Sequence, residues 1–155
     1  MRADFRSCLA IAALLVSWAA GAHAASNPYV GTWKKNAAES VGMADPGGSE
    51  TTEIRRHDSV LDYTWTGIGS DGKKETFSFS GAVDGVKRPL PGDSGLDGAM
   101  IRTPSGVIEG KLWSKDGGLE DKYCILSAPK KLTCFATYTD AAGKISLFKE
   151  VFDKM

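Results

Sequence analysis

The sequence predicts an all-β chain folded as a single antiparallel up-and-down β-barrel of about eight to ten strands, and three observations carry that prediction. Strand-like runs recur about every ten residues between clusters of Gly, Asp, Pro and Ser. The short reversals contain Gly beside Asp, Ser or Ala, which supplies the positive φ that tight antiparallel turns require. No stretch holds a helical period for three turns. Closing so many short strands into a meander also removes exposed sheet edges.

Taken in order, the chain begins with a segment set apart from the fold. Arg2 and Arg6 form a positive head, Leu9 to Ala20 an apolar run, and Ala22-His23-Ala24 a small-x-small cleavage site. That is the pattern of a cleaved secretory signal over residues 1–24, and the apolar run is shorter than the roughly 20 residues of a membrane span. Cys8 precedes the apolar run, away from the cleavage site, so it does not fit the lipidated cysteine of a lipoprotein. The expected compartment is periplasmic or extracellular, and no membrane span is expected in the mature chain.

Residues 25–155 form the expected barrel domain, long enough for one core. Removing Arg2, Asp4 and Arg6 leaves 17 basic and 18 acidic residues with no run of like charge. That balance argues against nucleic acid or an anionic membrane as partner. With only His57 and two cysteines remaining, a His/Cys metal cage is not expected, and no cofactor is.

Gly31-Thr32-Trp33 opens the first strand, where glycine permits close approach of another segment and the indole two residues on faces the same side, closing the barrel floor. Asn36-Ala37-Ala38-Glu39 places a capping residue three positions before Glu, the mark of one short helical turn. Strands are expected over 29–35, 51–57, 60–66, 75–81, 83–88, 99–103, 107–115, 119–127, 132–139 and 145–152. Reversals are expected at Ser70-Asp71-Gly72, Asp84-Gly85, Asp116-Gly117-Gly118 and Ala142-Gly143. Two longer connections, Ser40–Ser49 and Pro89–Gly98, are candidates to frame a mouth.

Alternation assigns faces. Leu61, Tyr63 and Trp65 share one side of their strand, and Phe77 and Phe79 one side of the next. The last strand has apolar residues on both sides and stays unassigned. Cys124 and Cys134 flank a hairpin centred on Pro129, which sets them opposite one another at disulfide spacing. Closing that eleven-residue ring stabilises by roughly 3 kcal/mol in the chain-entropy picture.

Arg56 has the parity of Ile54, and Arg102 that of Met100, so each guanidinium either enters the barrel to clamp an acidic head group or lies near a strand end with its head in water. Tyr63, Trp65, Phe77, Phe79, Tyr123 and Phe135 either line a pocket or pack the interior solid. His57, next to Asp58 at a turn, reads as a surface histidine. There is no Gly-x-Ser-x-Gly, phosphate-cradling loop or His-Glu-x-x-His, so no catalytic residues are assigned and an enzyme is not expected.

From Gly31-Thr32-Trp33-Lys34-Lys35-Asn36 through Ala38-Glu39-Ser40 to Val151-Phe152-Asp153-Lys154, the chain resembles the small secreted lipocalin-like proteins of bacteria, of the calycin superfamily. It departs from their pattern at Lys35, where an apolar residue is usual, and at Phe152 and Lys154, where Tyr and Arg are. The resemblance implies a calycin barrel in which Lys154 or Lys149 packs across the Trp33 indole. The expected function is binding of a small apolar or amphipathic molecule by a monomer, with Arg56, Tyr63, Trp65, Phe79, Arg102 and Tyr123 as candidate contacts. The alternatives are a periplasmic protein-interaction module such as a protease inhibitor, or a packed structural barrel without ligand.

Overall fold

The structure, a computed structural model, describes residues 27–42, 48–91 and 95–155. The expected leader over residues 1–24 lies outside the described residues, as do parts of the two longer connections. Ten strands follow one another: β1 (Gly31–Lys35), β2 (Ser49–His57), β3 (Val60–Ile68), β4 (Lys74–Ala82), β5 (Arg88–Pro89), β6 (Leu96–Arg102), β7 (Ile108–Ser114), β8 (Leu119–Ala128), β9 (Lys131–Thr139) and β10 (Ile145–Lys154). They form one antiparallel sheet in the order β4-β3-β2-β1-β10-β9-β8-β7-β6-β5, an up-and-down meander joined across its ends by β1 and β10. No hydrogen-bonded pairing joins β4 to β5, and there the chain itself passes from one edge of the sheet to the other. Among the described residues no helix is long and apolar enough to cross a membrane.

Gly72, Gly85, Gly117 and Gly143 adopt positive φ at the four expected reversals. The expected strand over 83–88 is cut down to β5 and an isolated bridge between Asp84 and Ile101. The Asp84 carboxylate accepts from the Val86 amide at 3.0 Å and from both ends of the Arg88 guanidinium, which folds the segment on itself in place of an extended ladder. Asn36–Glu39 forms the expected turn: the Asn36 side chain accepts from the Glu39 amide at 3.3 Å and donates to the Glu39 carboxylate at 3.1 Å, and no helix follows.

The floor is built around Trp33, which is 0% exposed and packs with Ile54, Leu132, Cys134 and Phe152. Its indole N–H donates to the Tyr29 carbonyl at 2.8 Å, so burial leaves no orphan donor. Lys154 lies over the indole with Nζ 5.1 Å from the ring and donates to the Pro28 carbonyl at 3.0 Å. Gly31 makes this stacking feasible, because at φ 140° a Cβ there would come within 2.7 Å of Lys154 Cε. Cys124 and Cys134 face each other across β8 and β9 and are bonded, as the hairpin register about Pro129 predicts. A second apolar cluster, Leu61, Phe79, Leu90, Met100 and Ile108, fills the opposite wall.

Candidate functional site

Inward positions change character along each strand. β1 runs Gly31, Trp33, Lys35; β2 runs Glu50, Thr52, Ile54; β8 runs Glu120, Lys122, Cys124, Leu126; β10 runs Phe148, Glu150, Phe152, Lys154. The pairings place the apolar members, apart from Phe148, around Trp33 with Lys154 over the indole, and gather the other charged members at the opposite end. Lys35 Nζ lies 2.6 Å from Glu50 and 3.4 Å from Glu150, Lys122 pairs closely with Glu150, and Glu120 stands 4.0 Å from Lys122. The result is an alternating line, Glu50–Lys35–Glu150–Lys122–Glu120, across the mouth.

Burial and pairing set each charge. Burial opposes the ammonium of Lys35, but its hydrogen bond to Glu50 and the charges of Glu50 and Glu150 outweigh it and raise its pKa. Burial likewise opposes the charge of Lys122, and the carboxylates of Glu150 and Glu120 overcome it, so this pKa is raised too. Glu150 is pushed up by burial but held below its ordinary value by Lys122 and Lys35. Glu120 is raised by burial and by the charges of Glu150 and Glu50, only partly offset by Lys122. Its carboxylate makes no hydrogen bond among the described residues.

Two spaces meet at this line. An apolar slot of about 120 Å³ lies between the clusters, lined by Ile54, Tyr63, Met100, Leu112 and the disulfide, among others. A polar cleft of about 630 Å³ opens outward past Lys35, Glu50, Glu75 and Glu150, with Ser40, Val41 and Gly42 at its rim. Trp65, Phe77, Glu120 and Lys122 line both. The Trp65 indole is held on three sides: its N–H donates to Glu50 at 3.1 Å, Phe77 stacks against it at 5.2 Å, and its tip covers Gly67, where a Cβ would come within 2.4 Å.

Tyr63 and Trp65 therefore stand where alternation puts them, in the wall of the slot. Phe79 is buried behind Tyr63 in the second cluster and does not itself line the slot. Arg56 faces outward. A bulge between Ile54 and Arg56 puts one extra residue into β2 and reverses the parity beyond it, so Arg56 pairs with outward-facing Asp62 and its exposed guanidinium reaches Asp58 at 3.3 Å. Arg102 is exposed at the end of β6 and donates to the Gly106 and Asp58 carbonyls. Both arginines belong to the floor end, away from the cleft.

Tyr123 is on the outer face, stacked on Phe135 at 5.5 Å, because Cys124 and Leu126 take the inward positions of β8. The same bulge that turns Arg56 out brings His57 in. Its ring stacks on Tyr29 at 3.9 Å and borders the slot, and burial together with the Arg102 charge lowers its pKa. His57 is thus part of the wall, not a surface residue.

The charged line of Glu50, Glu120, Lys122 and Glu150 went unassigned in the sequence. A signal for it existed: Glu120 and Lys122 share the parity of Cys124, and Lys35 replaces an apolar residue on the parity of Trp33.

No protein-family model and no curated protein matches this chain. Among solved structures, zebrafish ileal bile acid-binding protein complexed with cholic acid is similar, at 17% identity and a TM-score of 0.45, over 83% of this chain and 100% of that one.

Proposed function

We propose that this is an exported, monomeric binding protein that holds a small amphipathic molecule across the junction of slot and cleft. The observation that carries the reading is that junction: a narrow apolar space opens directly onto fixed charges, and Trp65, Phe77, Glu120 and Lys122 belong to both. Such a site suits a ligand with a short apolar part and a polar head. The slot alone, at about 120 Å³, is too small to enclose a long acyl chain, so the ligand spans both spaces. Export is supported by the Arg2/Arg6 head, the apolar run and Ala22-His23-Ala24, and by the Cys124–Cys134 bond, which persists in oxidising compartments.

The test is titration with short-chain amphipathic molecules, followed by NMR through the Trp65 indole N–H. Binding is expected to shift that resonance more than those of Trp33 and Trp113, and Phe77→Ala should weaken it by about 1–3 kcal/mol. Shifts confined to Trp113, or none with any titrant, would refute this site.

A second reading, a protein-interaction module, is favoured by exposed Tyr123, Phe135, Ile145 and Leu147 on the outer faces of β8, β9 and β10. It predicts that a partner shields these residues and leaves the cleft open.

A further inference from the structure

We propose that the mouth selects a cationic head group, a primary ammonium on a short apolar tail, and that Glu120 is the residue that meets it. The inference rests on the binding reading above and specifies its ligand class. Seven charged residues among those described face the cleft: Lys35, Glu50, Glu75, Glu120, Lys122, Lys149 and Glu150. Both inward lysines are committed, Lys35 between Glu50 and Glu150 and Lys122 against Glu150. Lys149 belongs to the outer face of β10, paired in register with outward-facing Phe135, and Glu75 has Lys73 at 3.7 Å. The line of five thus carries three carboxylates and two ammoniums.

Its unmatched member is Glu120. That carboxylate has only the 4.0 Å approach of Lys122, no hydrogen bond among the described residues, and a place on the wall of both slot and cleft. An acceptor with unused lone pairs in a half-desolvated site is completed by a donor, and best by a charged one. An incoming carboxylate meets the opposite situation. It adds a fourth negative charge beside three, and it gains an inward lysine only by parting it from the buried Glu150.

The aromatic walls favour the same sign. Trp65, fixed by Glu50 and Phe77, lines both spaces together with Glu120, and ring faces attract a cation and repel an anion. The tail is limited by the slot, whose 120 Å³ is a little less than the roughly 150 Å³ of an apolar cavity that accepts benzene. A chain of about six carbons, partly in the slot and partly in the cleft, satisfies both ends.

The experiment is isothermal titration calorimetry of the disulfide-bonded protein with hexylamine, 1-hexanol and hexanoate, at low ionic strength and neutral pH. Hexylamine is expected to bind about tenfold or more tighter than hexanol, and hexanoate weaker than hexanol. Glu120→Gln should bring hexylamine to within about twofold of hexanol, the amine losing at least about fivefold more affinity than the alcohol. On acidification through the raised pKa of Glu120, the amine advantage should fade without loss of hexanol binding.

Hexanoate equal to or tighter than hexylamine would overturn the charge assignment while leaving the binding site standing. An undiminished amine preference in folded Glu120→Gln would overturn the role of Glu120. If none of the three binds, the binding reading fails and this inference with it. Should Glu120→Gln fail to fold by circular dichroism, the ranking of the three ligands on the unaltered protein decides the question.

Discussion

The floor around Trp33 and the mouth around Glu120 are made from alternate residues of the same strands, yet they use their inward positions in opposite ways. On β1 the step from Trp33 to Lys35, about 7 Å, passes from a fully buried indole to an ammonium held by two carboxylates. On β10 the step from Phe152 to Glu150 does the same. The floor satisfies its polar atoms internally: the indole donates to Tyr29, and Lys154 covers it from above. Among the described residues the mouth leaves the Glu120 carboxylate without a hydrogen bond, with the cleft beside it. A sheet can thus place stability at one end and an unfinished recognition surface at the other along the same paired strands.

Emptying the floor should have the largest effect on stability. Trp33→Ala is expected to destabilise by about 3–5 kcal/mol, since it removes the largest buried side chain and leaves a cavity between Ile54, Leu132 and Phe152. Urea denaturation checks it, and a loss under about 1 kcal/mol would mean that the floor is not the stable end. Opening the disulfide by Cys124→Ser with Cys134→Ser should cost about 3 kcal/mol by the same measurement, because an eleven-residue ring is released in the unfolded chain.

At the mouth the effects should be smaller and pH-dependent. Glu150→Gln leaves Lys122 and Lys35 short of a partner, with an expected loss of about 1–3 kcal/mol near neutral pH. Because the pKa of Glu150 is lowered on folding, its contribution is complete above its ordinary value of 4.5 and is lost as pH falls through the lower folded value. The variant and the parent should therefore converge in stability under acid. Unchanged spacing between their denaturation midpoints from pH 7 to pH 3 would contradict that.

Glu120 carries the opposite sign. Its pKa is raised on folding, so it favours the fold below 4.5 and opposes it as pH rises through the folded value. Glu120→Gln should stabilise the ligand-free protein at neutral pH by about 0.5–1 kcal/mol, the scale of surface-charge optimisation. A gain at the mouth against a loss at the floor is the sharpest form of the contrast. Equal destabilisation by Glu120→Gln and Glu150→Gln would show the line to be structural throughout.

What the sequence determined by itself is the set of features that local chemistry controls. Strand recurrence, glycine turns, the Asn36–Glu39 turn and the Cys124–Cys134 register are all written in short stretches whose periodicity or turn chemistry permits one reading. The Lys154 cover on Trp33 was legible only through resemblance, because the two residues lie at opposite ends of the chain.

The tertiary structure alone decided the orientation of Arg56 and His57, since one bulged residue in β2 reverses every face beyond it and no alternation rule contains that residue. It alone decided the charged line as well. Glu50, Lys35, Glu150, Lys122 and Glu120 come from four strands that meet only after β1 and β10 pair. Single charges in alternating strands read as solvent-facing, and only proximity to opposite charges turns them into an interior network, because the energy of ion pairs depends on distances that chain spacing does not set.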